Sequence, residues 1–134
     1  CAEGLAQQAA AGITKELGIT ERNHDFDPCR RAIPRLSEMT AAERNRLIHH
    51  DPAYGRIVCR CRGISEGEIV EAIRRGATTI NGIKRRVGAC SGRCQGSYCL
   101  RRITELIAQQ TGRPVTAVAW DEAGSEVLQG VDNA

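Results

Sequence analysis

The stretch Gly92-Arg93-Cys94-Gln95-Gly96-Ser97-Tyr98-Cys99 follows an earlier Cys59-Arg60-Cys61, and the two together decide how the chain reads. Five of the seven cysteines fall between positions 59 and 99. Their order is C-x-C, a gap without cysteine, then C-x3-C-x4-C starting at Cys90. Tight cysteine pairs separated by a helical stretch hold metals or clusters more often than they form disulfides. The cysteine count is odd and the chain reads as intracellular, which favours free thiolates as ligands over a disulfide framework.

Charge gathers around these cysteines. From Arg56 to Arg102 there are 11 Lys/Arg and 3 acidic residues, a local +8, while the rest of the chain sums to −5. A basic region of this kind meets nucleic acid, an acidic partner, or an anion held within the domain. Aromatic residues make up only 3% of the 134, so a small core of Ile, Leu, Val and Ala is expected. A bound cluster would help offset the ordering entropy of such a domain. No apolar run of 18 or more residues is present, so no membrane span is expected. The start shows no basic segment followed by an apolar one, as a signal peptide would. The chain does not begin with Met, which sets the expectation of a removed upstream sequence or a piece of a longer protein.

Further out, apolar spacing predicts helices. Residues 3–18 carry Leu5, Ala9, Ala10, Ile13 and Leu17 on roughly one face. Residues 19–36, polar and holding Pro28 and Pro34, read as a linker. Thr40 and Glu43 fit a capping box for a short helix through about His49, ended by Asp51-Pro52. Gly55–Cys61 reads as extended. Ser65 and Glu68 form a second capping box ahead of Ile69, Val70 and Ile73, with a stop by Gly76. Thr79 caps a helix with Ile80, Ile83 and Val87, ending at Gly88. Ser97 is expected to cap a third, with Leu100, Ile103 and Ile107, ending near Gly112. Val115–Trp120 and Glu126–Leu128 are expected as short strands of a minor hairpin. The fold class is therefore mainly α, a helix-turn-helix unit with an N-terminal helix and linker and a short C-terminal extension.

In an extended segment residues i and i+2 face one side, so Cys59 and Cys61 are expected to offer two sulfurs to one iron. Cys94 and Cys99 flank a tight turn in which Gly96 permits close backbone approach. Cys99 is expected in the first turn of the third helix, where free N–H groups favour an anionic site. Two such pairs make a four-thiolate set suited to an iron–sulfur cluster. Arg60, Arg62 and Arg93 beside them, with Arg101 and Arg102 following, would compensate its negative charge and raise its reduction potential.

Zinc on the same four cysteines stays open on spacing alone. Structural zinc usually shows two C-x2-4-C pairs; C-x-C is tighter than that and C-x4-C lies at the edge. Buried cysteines acting as small apolar residues are a third account. Cys90 reads as a packing residue near the site. Cys29 and Cys1 have no partner at useful spacing. His24, His49 and His50 read as solvated. Lys84-Arg85-Arg86 reads as a solvated helix face or a docking patch for an acidic redox partner. No Ser/His/Asp set, P-loop or G-x-G-x-x-G occurs, so no dinucleotide fingerprint is present.

Val58-Cys59-Arg60-Cys61, Ser65-Glu66-Gly67-Glu68-Ile69 and Gly92–Cys99 resemble the bacterioferritin-associated-ferredoxin-like 2Fe–2S domain, over about residues 57–112. The resemblance implies a small helix-turn-helix unit binding its cluster in two loops, with Cys59, Cys61, Cys94 and Cys99 as ligands and Cys90 outside the motif. Ala32–Met39 and Asp51–Cys59 are similar to the C-terminal region of FAD-dependent oxidoreductases of the anaerobic glycerol-3-phosphate dehydrogenase type. That likeness implies residues 1–36 as the last helix of a flavin domain plus linker, 37–56 as a connecting helix and loop, 57–112 as the 2Fe–2S domain, and 113–134 as a C-terminal extension. It also implies FAD in the rest of the parent protein, whose flavin domain and an acceptor or other redox subunit would be the partners. The chain alone is expected not to turn over substrate, having no catalytic residues of its own. Its place is expected to be cytoplasmic, with any membrane association supplied by partner subunits. Two rivals remain: a zinc-stabilised structural or nucleic-acid-binding module, disfavoured by the scarcity of stacking aromatics, and a stand-alone ferredoxin.

Overall fold

A computed structural model of the chain describes residues 2–19, 21 and 23–128. Cys1 and residues 129–134 of the expected C-terminal extension lie outside the described residues. The chain divides into two compact units, Cys1–Arg31 and Ala32–Ala134.

In the first unit, helix α1 spans Ala2–Glu16 and gives way to a turn in which Gly18 has φ 62°. Its apolar stripe is exposed: Leu5, Ile13 and Leu17 are all more than half accessible. The polar stretch beyond it forms no helix or strand among the described residues until Leu36.

The second unit is organised around the two capping boxes expected from the sequence. Helix α2 spans Ala41–His50, with Thr40 and Glu43 satisfying each other's backbone N–H groups. Asp51 then accepts a hydrogen bond from the Ala53 N–H at 3.0 Å and starts a 3-10 turn over Pro52–Gly55. That turn buries Tyr54 against helix α3, Glu66–Arg74. The fit is close: a Cβ on Gly67 would stand 2.5 Å from the Tyr54 ring. At the start of α3, Glu68 accepts from the Ser65 N–H at 2.8 Å and from its hydroxyl at 2.6 Å, out of solvent. Among the described residues every buried side-chain polar atom has a partner.

Helix α4, Ile80–Val87, starts at Thr79, whose hydroxyl accepts from the Gly82 N–H, and stops at a left-handed Gly88. Helix α5, Leu100–Thr111, stops likewise at Gly112. Between them, α3, α4 and α5 bury Ile69, Ile73, Ile80, Ile83, Val87, Ile103, Leu106 and Ile107. Burial of each such side chain is worth about 1.5–3 kcal/mol, so an almost non-aromatic core suffices for a unit of this size.

Strand β1, Ile57–Cys59, pairs antiparallel with β2, Ile64–Ser65, matching Ile57 to Ser65 and Cys59 to Ile64 with an irregularity between. The sequence predicts the first strand but not its partner. A two-residue strand that runs into a capping box carries no period of its own.

Three expectations need correction. Ser97 does not cap α5; Cys99 occupies that position, and the Ser97 hydroxyl donates to the Cys94 carbonyl at 2.7 Å. Val115–Ala117 is a 3-10 turn rather than strand, because Pro114 leads into i→i+3 bonds from Ala117 to Pro114 and from Val118 to Val115. The expected hairpin shrinks to one bridge between Ala119 and Glu126. This C-terminal segment is stitched to α4: the Ile80 and Asn81 N–H groups donate to the Ala119 and Trp120 carbonyls at 3.2 and 2.8 Å. Those two bonds satisfy donors that a helix start leaves free.

Candidate metal centre

The two loops at one end of α3–α5 carry the thiols. The β1–β2 turn delivers Cys59 and Cys61, and the loop from Gly88 to α5 delivers Cys90, Cys94 and Cys99. Cys59, Cys61, Cys94 and Cys99 line one cavity of about 410 Å³, together with Arg60, Arg93 and Tyr98. Each loop gives this cavity one buried sulfur, from Cys59 and Cys99, and one nearer solvent, from Cys61 and Cys94.

The Cys59 and Cys61 sulfurs are 3.8 Å apart. Two thiolates on one tetrahedral metal about 2.3 Å away stand roughly 3.8 Å apart, so this separation suits chelation of one ion. The cause differs from the one expected. Strand β1 ends at Cys59, and Cys61 lies in the turn that reverses the chain, so the turn and not the pleat brings the sulfurs together. The Cys61 and Cys94 sulfurs are 3.5 Å apart, which links the two loops.

The second loop is shaped by its backbone as well as by the packing of Ala89, Cys90 and Cys99. Gly96 sits at φ 94°, a conformation an L side chain rarely adopts. The Gly96 N–H, the contact with Cys61 and the Tyr98 N–H favour the Cys94 thiolate and hold its pKa below the ordinary thiol value. In the same contact Cys94 holds the Cys61 thiol above its ordinary value, with burial adding to the effect. The thiolate form of Cys94 is thus favoured by donors already in place.

Gly92 has a role that spacing could not reveal. A Cβ there would run into the Cys61 sulfur, so only glycine lets the second loop pass over the first. Cys90 is buried, its sulfur 3.5 Å from that of Cys99, and it is not among the residues lining the cavity. Burial, then the contact with Cys99, pushes its thiol pKa up to about 12. Cys29 is exposed in the first unit.

The arginines divide. Arg60 and Arg93 line the cavity, and no salt bridge among the described residues engages either. Arg102 is committed elsewhere, to Glu66 at 3.1 Å and Glu105 at 3.2 Å, and Arg101 pairs with Glu105 at 3.1 Å. Arg56 completes the network at 2.6 Å from Glu66. The Arg56 hydrogen bond, reinforced by Arg102, holds the Glu66 carboxyl below the usual range against the opposing effect of burial. The basic run on α4 is also in use: Arg85 lies 3.6 Å from Asp121, and Arg86 donates to the Arg75 carbonyl.

Four soft sulfur donors, two free cations and a donor-lined thiolate fit an anionic iron–sulfur cluster. Among the described residues no three His, Cys, Asp or Glu side chains are grouped closely enough to hold a single ion.

Comparison with known proteins agrees with this donor set. Residues 57–109 match the BFD-like 2Fe-2S binding domain. The chain is 46% identical over 112 residues to glycerol 3-phosphate dehydrogenase of Caloramator mitchellensis, covering 82% of this chain and 23% of that protein. It is 39% identical over 57 residues to an opine oxidase subunit of Rhizobium meliloti, and 35% over 57 to hydrogen cyanide synthase subunit HcnB of Pseudomonas aeruginosa. Each of those two matches covers 42% of this chain and 12% of the relative. The chain thus spans under a quarter of the length of these relatives. No solved structure matches it significantly. By its motif order, its convergent thiols and this match, the segment 57–109 is a BFD-like 2Fe-2S binding domain.

Proposed function

We propose that this chain is the electron-transfer part of a flavin-dependent dehydrogenase of the glycerol-3-phosphate type, with Cys59, Cys61, Cys94 and Cys99 holding a 2Fe–2S cluster. The observation that carries the reading is the convergence of these four thiols on one cavity rimmed by Arg60 and Arg93. A bound cluster supplies one-electron transfer at a potential set by charge and hydrogen bonding around its sulfurs. The chain's own residues do the rest. Cys59 and Cys99 anchor the site to the helical core. The Gly96 and Tyr98 N–H groups stabilise charge on Cys94, and the two arginines balance the centre's negative charge.

The flavin and the hydroxyl-bearing substrate belong to the parent protein, through the likeness of the flanking segments. On this reading residues 1–36 end the flavin part and lead into a linker, 37–56 connect, 57–112 hold the cluster, and 113–134 extend it. The exposed apolar stripe of α1 supports a partner for that helix in the flavin part. An acceptor protein would meet the cavity mouth, where Tyr98 is 75% exposed beside Arg60 and Arg93. Engagement of Arg85 and Arg86 within the domain counts against that basic run as a docking patch for either nucleic acid or an acidic partner. The compartment on this reading is the cytoplasm. Among the described residues no helix is long and apolar enough to cross a membrane.

The test uses the flavin-bearing parent enzyme under anaerobic conditions. Glycerol 3-phosphate is added, and the cluster's paramagnetic signal is followed beside flavin absorbance. Relay predicts that both centres become reduced. Flavin reduction with a cluster that stays oxidised would assign the cluster to architecture instead.

A further inference from the structure

The fifth thiol of the site is left unexplained by a four-ligand cluster. Cys90 is only 2% exposed, and its sulfur stands 3.5 Å from that of Cys99. It is not among the residues that line the cavity. Its backbone is left-handed, at φ 62°, a region where non-glycine residues are uncommon. The side chain is therefore present at a conformational cost that glycine would avoid. Gly96 packs against it: a Cβ at Gly96 would stand 3.4 Å from the Cys90 sulfur, in van der Waals contact.

In this contact either sulfur can donate. A Cys99 bound to iron is a thiolate with no proton to give, so only Cys90 can be the donor. We propose that Cys90 is a positioning residue whose S–H donates a hydrogen bond to the ligand sulfur of Cys99 and raises the cluster's reduction potential. This rests on the four-cysteine cluster reading above. Hydrogen bonds to ligand sulfur draw electron density from the cluster and favour its more negative, reduced form. The two ligand sulfurs of the second loop then differ in their donors: backbone N–H groups serve Cys94, and a side chain serves Cys99.

The test compares the wild-type chain with Cys90→Ala, Cys90→Gly and Cys90→Ser, all prepared without oxygen. Iron and sulfide per chain are measured first, then the midpoint potential by spectroelectrochemical titration. The expected result is unchanged iron and sulfide in all four. Ala and Gly should shift the potential to more negative values, and Ser, with its stronger O–H donor, should restore it to the wild-type value or above. Cys90→Gly suits the left-handed backbone, so a shift in that variant cannot be assigned to strain. Equal potentials across the series would overturn the proposal. Iron loss in both Ala and Gly with retention in wild type would overturn it too, by making Cys90 a ligand. Wild-type protein without iron and sulfide would sink the cluster reading itself, and this inference with it.

Discussion

The helices α3–α5 and the two cysteine loops obey different physics. The helices are held by apolar side chains at i, i+3 and i+7 and by caps that satisfy their first N–H groups. The loops tuck Cys59, Cys90 and Cys99 into the core and are otherwise held by turns, close backbone approach and sulfur contacts. The first kind of order sets how stable the domain is. The second sets whether four sulfurs converge. Damage to one should leave the other measurable, and substitutions can break or sharpen the division.

The largest effect is expected in the loops. Cys59→Ser or Cys94→Ser should abolish cluster incorporation, read as iron per chain, because each removes half of one chelating pair; metal binding and folding are coupled, so stability falls as well. Normal iron in either variant would remove that residue from the ligand set. Gly92→Ala comes next. Its Cβ would occupy the space of the Cys61 sulfur, so most of the iron should be lost although no ligand is changed. Full iron content in this variant would mean that the loops do not cross as described.

On the other side of the comparison, Ile69→Ala should cost about 2–5 kcal/mol in denaturant unfolding, since Ile69 is fully buried in the core. At low temperature the folded fraction should keep its iron. A cluster lost before the fold would show that core and site are not separable. The smallest effect concerns Glu66. Its folded pKa is depressed, so its contribution to stability is present above the unfolded carboxyl value of about 4.3 and is lost as pH falls through the folded value. Glu66→Gln should therefore lower stability modestly near neutrality, where the Arg56 and Arg102 pairs are made, and flatten the acid limb below about pH 4.3. An unchanged acid limb would remove Glu66 as its source.

The same division explains what is legible in the sequence. Helix α4 is readable from Thr79, Ile80, Ile83, Val87 and Gly88 alone, because cap, stripe and stop are local signals. Both capping boxes are readable for that reason. The Cys59–Cys61 pairing is readable as an outcome though not as a mechanism, since the chain turns where an extended strand is expected. Ser97 misleads because a hydroxyl before a helix suits a cap, and here a nearer carbonyl on Cys94 takes it. Gly92 is invisible as a contact, because its neighbour Cys61 lies far off in sequence and only the folded loops bring them together. The stitching of Ala119 and Trp120 to α4 is invisible likewise: backbone carbonyls carry no sequence signature.

The most direct measurement is iron and acid-labile sulfide per chain in protein purified without oxygen. The account predicts about two of each, in a protein with visible charge-transfer absorption. One zinc per chain and no colour would contradict it.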